Sequence, residues 1–261
     1  MRPVLELSRL TRRFGGLIAV NDISLSLQSG EIRGLIGPNG AGKTTLLSLV
    51  GGQVRPSSGS VIFDGIDVTR RRPDQRAARG IRRTFQNLKL FPEMTALQNV
   101  MVGFHSAGRC EIIEALLRTR RQRHEEQMIV DEGYRILASI GLAEQALKSA
   151  GSLAYGHRRL LEVARAIIAR PRVLLLDEPC AGLNVSEALE FVRVLRRIQA
   201  DGVAIVLVEH HMDVVMSACD FITVLNYGEL LAEGTPAQVR EHPDVREAYL
   251  GHGDFQFSGH A

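Results

Sequence analysis

The chain has 261 residues, of which 45% are hydrophobic and 23% are charged, a balance typical of a globular protein with a substantial core. Its longest apolar runs, residues 173–176 and 203–208, have the length of buried strands and fall far short of the roughly 20 residues that a membrane-spanning helix needs. The net charge is only +3, tryptophan is absent and aromatic residues make up 5%, which disfavours a base-stacking surface for nucleic acid. Residues 1–10 contain no apolar signal core, so we expect a cytoplasmic protein.

The cysteines and the arginine clusters predict little chemistry. Cys110, Cys180 and Cys219 show no metal-ligand spacing and are expected to be reduced thiols. Arginines cluster at residues 70–72 and 118–123 without interleaved aromatic residues, which favours a solvated face over contact with lipid or nucleic acid.

The first part of the chain has the pattern of strands separated by turns. Predicted strands cover residues 4–10, 19–27, 32–36, 61–63 and 81–85, and a helix covers residues 43–50. The alternation of apolar residues in the second strand is typical of a sheet with one solvated face.

The second part becomes helical over residues 95–140 and then alternates between strands and helices. The alternation comprises strand 173–176, helix 187–199, strand 203–208, helix 212–219 and strand 221–225. Such alternation predicts an α/β fold with a mostly parallel sheet that is covered on both faces. We expect one domain, with a core from residues 1–86 and 166–250 that includes an antiparallel β-subdomain, an inserted α-helical subdomain at 87–165 and a loose tail at 251–261.

Residues 37–44 have the sequence GPNGAGKT, which is a complete P-loop between a predicted strand and a predicted helix. Backbone N–H groups of such a loop surround a phosphate, and the dipole of the following helix adds positive potential. Lys43 is expected to reach the β- and γ-phosphates, and the Thr44 hydroxyl is expected to hold Mg²⁺. The predicted nucleotide-binding residues of this segment are Gly37, Pro38, Asn39, Gly40, Ala41, Gly42, Lys43, Thr44 and Thr45.

Two later strands end in residues suited to ATP hydrolysis. Asp177 ends an apolar strand and is expected to join the Mg²⁺ shell, and Glu178 is then placed to polarise the attacking water. The strand at 203–208 is followed by Glu209 and His210, and this position suits a side chain that contacts the γ-phosphate. On its own, His210 also fits a satisfied polar group.

The order of these motifs, with LAYGHRR at residues 153–159, resembles the ATPases of ABC transporters, which have a P-loop NTPase core of the RecA-like type. The resemblance implies that Phe14 stacks on adenine and that Gln86 links the γ-phosphate and Mg²⁺ to a membrane partner. It further implies that Ala154 and Gly156 of the signature segment cap the ATP held by the opposite subunit. The implied catalytic residues are Glu178, His210, Gln86 and Lys43, and the implied metal ligands are Thr44, Gln86 and Asp177.

Several segments are similar to those of LivG-type ATPases of branched-chain amino acid importers. These segments are RTFQNLKLF at 83–91, LAYG at 153–156, AGLN at 181–184, EHHM at 209–212 and PDVREAYLG at 243–251, together with a helical insertion at 103–127. The resemblance implies a second ATPase subunit, either LivF-like or an identical copy, two membrane permease subunits and, indirectly, a periplasmic solute-binding protein. It also implies a peripheral location on the cytoplasmic face of the inner membrane.

Three residues depart from the usual ABC pattern: Ala154 replaces the signature Ser, His157 replaces Gln, and Asn184 replaces the Asp that ends the D-loop. Two alternative functions would use the same ATP-hydrolysing domain: an ATPase of a urea or amide importer, and an ATPase of an export or lipid-transport system. A soluble ABC ATPase acting on nucleic acid is disfavoured, because no second cassette, coiled coil or zinc module is visible in the sequence.

Overall fold

The computed structural model describes residues 2–84, 89–105 and 120–250. The strands are β1 (Leu5–Phe14), β2 (Leu17–Leu27), β3 (Ile32–Ile36), β4 (Ser58–Phe63), β5 (Ile66–Asp67), β6 (Ile81–Arg83), β7 (Val173–Asp177), β8 (Ala204–Val208), β9 (Phe221–Asn226) and β10 (Glu229–Gly234). The helices are α1 (Lys43–Gly51), α2 (Pro73–Ala77), α3 (Ala96–His105), α4 (Arg120–Ser139), α5 (Tyr155–Ile167), α6 (Val185–Ala200), α7 (Met212–Ala218), α8 (Pro236–Glu241) and α9 (Pro243–Leu250).

Within these residues the strands form two sheets. The larger sheet has the order β10-β9-β3-β8-β7-β6, and every neighbouring pair from β9 to β6 is parallel. Strand β10 closes one edge antiparallel to β9. The smaller sheet, with the order β2-β1-β4-β5, is antiparallel throughout. The predicted α/β class with a mostly parallel sheet and an N-terminal antiparallel part is therefore confirmed.

The parallel sheet is buried on both faces. Leu174 and Leu176 of β7 belong to a core that includes apolar residues of α5 and α6. Val173 and Leu175 of the same strand belong to a second core, which includes residues of α1 and of the antiparallel sheet. Because successive side chains of a strand point to opposite faces, one apolar run supplies both cores.

The bounds of the predicted elements agree closely for some strands and less well for others. Strand β3 has the predicted bounds, whereas β1 and β2 are longer than predicted and are joined at residues 14–17 in a hairpin. The predicted helical stretch 95–140 contains α3 and α4. The predicted strand at 81–85 is observed to Arg83, and its last residue lies outside the described part of the chain. The division into core and inserted subdomain stays a prediction, and the tail at 251–261 lies outside the description.

The sequence pattern did not predict β5, β10, α2, α8 or α9. Strand β10 contains no β-branched residue and shows no clean alternation, so its propensity is weak. It forms because Tyr227 and Gly228, with φ values of 47° and 83°, make a tight turn that folds it back onto β9. Tertiary pairing therefore overrides local propensity here.

The carboxyl ends of β3, β6, β7 and β8 meet at one edge of the parallel sheet. Loops that follow these strands carry the P-loop, Asp177 and Glu178, and Glu209 and His210. Ligands of open α/β sheets bind at this edge. Among the helices of the described residues, none has the length and apolar character that crossing a membrane requires.

Candidate active site

A cleft of about 660 Å³ opens at the carboxyl edge of the parallel sheet. Its lining joins the P-loop to the β1–β2 hairpin and to the loops after β7 and β9, and consists of Phe14, Leu17, Ile18, Ala19, Asn39, Gly40, Ala41, Gly42, Lys43, Thr44, Thr45, Glu178 and Tyr227. Most of the predicted nucleotide-binding residues are thus brought to one surface. Two hollows elsewhere on the molecule, of about 270 and 600 Å³, contain none of the predicted nucleotide-binding residues.

The P-loop leaves the start of α1 open toward the cleft. Gly42 is the N-cap residue of α1 and has a φ of 98°, and no side chain of the described residues caps the helix. A side chain at Gly42 is excluded, because its Cβ would overlap the carbonyl oxygen of Ala19. The unpaired N–H groups of the first helical turn therefore face the cleft and are available to an anion.

Lys43 closes the P-loop on itself. Its Nζ donates hydrogen bonds to the carbonyl oxygens of Gly37 and Pro38, at 2.6 and 2.9 Å. These two carbonyl groups therefore fix the position of the Lys43 ammonium group. Burial lowers the pKa of Lys43, and the carboxylates of Glu178 and Asp177 oppose this shift. Lys43 and Glu178 line the same cleft, where their opposite charges attract each other.

Asp177 is buried at the end of β7 and is engaged by a cation. Its Oδ2 accepts a hydrogen bond from Nη2 of Arg83 at 2.8 Å, and the two side chains are 4% and 10% exposed. Asp177 and the Thr44 hydroxyl supply oxygen ligands, which are the ligands that Mg²⁺ prefers. The donor set therefore fits the predicted metal, with Arg83 as an additional neighbour of the carboxylate.

Glu178 follows Asp177 in a strained backbone conformation. Its φ of 50° lies in the left-handed region, and its N–H donates to the carbonyl oxygen of Val208 at 2.9 Å. A bulky residue in this region costs on the order of 1–3 kcal/mol and is held there by its surroundings. The strain turns the carboxylate into the cleft, where Oε1 lies 3.9 Å from Nδ1 of His210.

Glu209 connects the loop after β7 to the loop after β8. The residue is 1% exposed, and its Oε1 accepts a hydrogen bond from the N–H of Cys180 at 2.7 Å, while Oε2 accepts one from the N–H of His210 at 3.3 Å. Ligand atoms of Glu209, His210 and His211 lie within 4.8 Å of one another. Since both oxygens of Glu209 already serve backbone N–H groups, the cluster is better explained as a support for the loop than as a metal site.

The aromatic side of the cleft contains two residues. Phe14 ends β1 and is 44% exposed, and the guanidinium carbon of Arg12 lies 4.3 Å from the centroid of its ring. Tyr227, in the turn between β9 and β10, is 79% exposed and lines the same cleft. Both rings are accessible to a planar ligand.

The signature segment lies apart from this cleft, whose lining contains neither Ala154 nor Gly156. Ala154 is the N-cap residue of α5 and Gly156 lies in the first turn. As at the start of α1, no side chain of the described residues caps the helix. Tyr155 connects α5 to the D-loop at 181–184, because its hydroxyl donates to the carbonyl oxygen of Ala181 at 3.2 Å. The same hydroxyl accepts hydrogen bonds from Arg159.

Asn184, the unusual end of the D-loop, has a local structural role. It caps α6 in a capping box with Glu187: its Oδ1 accepts from the Glu187 N–H at 3.0 Å, and Glu187 Oε2 accepts from its N–H at 2.9 Å. The amide therefore keeps the hydrogen bonding that a carboxylate would provide.

Gln86, one of the predicted site residues, lies outside the described residues. The sequence did not indicate four residues that the structure places at or beside the predicted motifs. The missed residues are Arg83 at Asp177, Tyr227 in the cleft, Tyr155 on the D-loop and Glu187 beside Gly156. Tyr155 lies in the signature segment and Arg83 in the segment 83–91, yet no local pattern indicates which side chains they contact.

Comparisons with known proteins agree with these motifs. A sequence profile of the ABC transporter family matches residues 20–181, and a profile of the branched-chain amino acid ATP-binding cassette transporters matches residues 229–254. The chain is 43% identical to the high-affinity branched-chain amino acid transport ATP-binding protein BraF of Pseudomonas aeruginosa, over 96% of this chain and 98% of that protein. It is 41% identical to LivG of Escherichia coli K12 over the same shares of the two chains.

A solved structure has the same fold. The ADP conformation of an ATP-binding cassette of an ABC transporter superimposes with a TM-score of 0.85 and 30% sequence identity, and the match covers 97% of this chain and all of the other. The P-loop, the signature segment and the Asp-Glu strand end thus occur in a chain that is similar to these relatives along nearly its whole length. The chain belongs to the ATP-binding subunits of ABC transporters, within their branched-chain amino acid group, and is an ATPase of this type.

Proposed function

We propose that the chain is the ATP-hydrolysing subunit of an importer for branched-chain amino acids, which couples closure around ATP to movement of membrane permease subunits. The observation that carries the proposal is the cleft in which the P-loop faces Glu178, the residue that follows the buried Asp177. These are the parts that phosphoryl transfer requires: a phosphate cradle, a metal-binding carboxylate and a group that orients water.

In the proposed complex the triphosphate lies on the open start of α1. The N–H groups of residues 39–45 surround the phosphates, and Lys43 exchanges its carbonyl partners at Gly37 and Pro38 for the β- and γ-phosphates. Adenine stacks on Phe14 at the other end of the cleft. Thr44, Gln86 and Asp177 would hold Mg²⁺, and this ion would supply positive charge against the phosphates.

Glu178 is the proposed general base. Its strained backbone turns the carboxylate into the cleft, and water bound between this carboxylate and the γ-phosphate loses its proton to it. His210, beside Glu178, contacts the γ-phosphate in this scheme, and Gln86 senses the same group. The loop that carries both acids is supported by Glu209, which connects it to β8.

The second half of the site comes from another ATPase subunit. Ala154 and Gly156 start a helix whose uncapped N–H groups are suited to a phosphate, yet they are not part of the chain's own cleft. Two subunits closing face to face would place each signature segment on the ATP of the other. We propose a LivF-like partner, since the signature here lacks the usual serine, with a homodimer as the alternative.

The relatives support a proposal for the transported solute and for the membrane partners. BraF and LivG are named as high-affinity branched-chain amino acid transport proteins, and we extend that solute class to this chain. The chain then sits peripherally on the cytoplasmic face of the inner membrane, on two permease subunits, and a periplasmic protein delivers the solute. Nucleic acid is not a proposed partner.

Uptake of labelled leucine by intact cells tests the proposal. A strain lacking this gene should recover uptake when it carries the unsubstituted chain, and should not recover when it carries Lys43→Ala at equal abundance. Labelled urea serves as the competing solute. Recovery of urea uptake without leucine uptake would replace the branched-chain assignment, and recovery of neither, with normal expression, would contradict an import role.

A further inference from the structure

Arg83 lies at the carboxyl end of β6, the edge strand next to β7, and its side chain reaches the acid predicted to hold the metal. One nitrogen, Nη2, donates to Asp177 Oδ2 at 2.8 Å. The other, Nη1, donates to Ser48 Oγ on α1 at 2.9 Å. The guanidinium therefore bridges the strand end that carries Asp177 and the helix that follows the P-loop.

The ion pair is shielded from water. The side chains of Arg83 and Asp177 are 10% and 4% exposed, so solvent and salt screen their attraction only weakly. A buried carboxylate without a counter-ion is costly, and here the guanidinium supplies the compensating charge. The metal ion proposed for this site is also a cation, so it would interact with the same carboxylate as the guanidinium does.

The guanidinium is incompletely satisfied in this arrangement. Its Nε is buried and finds no hydrogen-bond partner among the described residues. A purely structural arginine usually has all its donors paired, as Arg76 shows by donating to the carbonyl oxygens of Leu49, Val50, Thr69 and Arg71. Arg12 and Arg158 also bury an unpaired Nε, so the feature that sets Arg83 apart is its buried ion pair with Asp177.

We propose that Arg83 is a built-in counter-ion that holds Asp177 when no metal is bound, and that it competes with the divalent cation for this carboxylate. The inference rests on the proposed assignment of Asp177 to the metal. Arg83 thereby lowers the affinity for the cation and makes productive binding depend on the nucleotide, whose phosphates supply the ligands needed to displace the arginine.

Mn²⁺ binding in the presence of a non-hydrolysable ATP analogue tests this competition, with free Mn²⁺ followed by electron paramagnetic resonance. Arg83→Met removes the charge and keeps most of the side-chain volume. It should tighten Mn²⁺ binding by about 10-fold or more, since a neighbouring opposite charge shifts the protonation of a carboxyl by roughly 10- to 1,000-fold. Arg83→Lys keeps the charge and should remain near the unsubstituted protein. Arg82→Met is the matched control, because the neighbouring strand residue points to the opposite face of the sheet.

Thermal unfolding without metal does not distinguish a competing counter-ion from a structural arginine, because either would stabilise the fold. The affinity for Mn²⁺ does distinguish them. Tighter Mn²⁺ binding by Arg83→Met, with unchanged Mn²⁺ binding by Arg82→Met, supports the inference. Equal affinity in Arg83→Met and the unsubstituted protein overturns it while leaving the metal assignment intact. If Asp177→Asn binds Mn²⁺ as tightly as the unsubstituted protein, the metal assignment itself is wrong, and the inference fails with it.

Discussion

Gly156 of the signature segment lies against the carboxylate of Glu187 at the start of α6. A methyl group added at Gly156 would lie 2.8 Å from Oε1 and 3.1 Å from Cδ of Glu187. The carboxylate has little freedom to move away, because its other oxygen accepts a hydrogen bond from the N–H of Asn184. The signature helix and the D-loop are thus packed together at a glycine.

Gly156→Ala should therefore lower the free energy of unfolding by about 1 kcal/mol, which is the scale of a lost helix cap, because Glu187 must leave its capping position. Gly156→Asp should cost more, since it places a second carboxylate beside Glu187. Chemical denaturation of the nucleotide-free chain measures both values.

The pair Gly156→Ala and Glu187→Ala provides the control. If the contact is the cause, the double variant should lose less stability than the sum of the two single variants. Additive losses would contradict the contact. The same Glu187→Ala background also separates this packing effect from any loss of phosphate binding at Gly156.

Lys43→Ala should abolish ATP turnover while the chain still folds. The substitution deletes the cation that balances the phosphates, and in the nucleotide-free chain it removes only two hydrogen bonds to P-loop carbonyl oxygens. Steady-state phosphate release in the assembled complex, together with circular dichroism of the variant, tests this. Normal turnover by a folded variant would mean that the loop is not the active one.

The pH dependence of stability should differ between the unsubstituted chain and Lys43→Ala. Burial lowers the folded-state pKa of Lys43 below its ordinary value of 10.5, so the unfolded chain binds more protons between the two pKa values. Stability of the unsubstituted chain should therefore rise relative to Lys43→Ala as the pH increases through the folded-state pKa toward 10.5. Denaturation in urea at several alkaline pH values measures the difference, and a falling difference would contradict the assigned burial.

Phe14→Ala should weaken ATP binding by about 1–3 kcal/mol, or roughly 5- to 150-fold, whereas Phe14→Tyr and Phe14→Trp should preserve it. The reason is loss of the ring on which adenine stacks. Titration with a fluorescent ATP analogue gives the dissociation constants. Tyr227→Ala is the informative comparison, since Tyr227 lines the same cleft. If Tyr227→Ala weakens binding and Phe14→Ala does not, the adenine position proposed here is wrong.

Glu178→Gln should bind ATP normally and hydrolyse it about 10²- to 10⁴-fold more slowly, because the amide cannot accept the proton of the attacking water. A closed pair of subunits should then accumulate in Mg-ATP. Light scattering of the variant with and without the partner ATPase detects it, and Lys43→Ala under the same conditions should stay dissociated. Undiminished hydrolysis would show that Glu178 is not the base.

The P-loop and the Asp177-Glu178 strand end could be predicted from the sequence because each is a local pattern with a local cause. Six glycine-rich residues followed by Lys43 and Thr44 make a phosphate loop wherever a strand precedes them and a helix follows. Short apolar runs such as residues 173–176 similarly predict buried strands. The family resemblance added positions such as Phe14 that no single pattern assigns.

Tertiary structure alone decided which side chains meet. Arg83 and Asp177 are 94 positions apart and become neighbours because β6 pairs with β7 in parallel. Tyr227 reaches the cleft of Phe14 because a tight turn folds β10 onto β9. Glu187 reaches Gly156 because the D-loop brings the start of α6 to the start of α5. Strand order and helix packing minimise exposed apolar area across the whole chain, so the partners they bring together at the polar edge leave no mark in either local sequence.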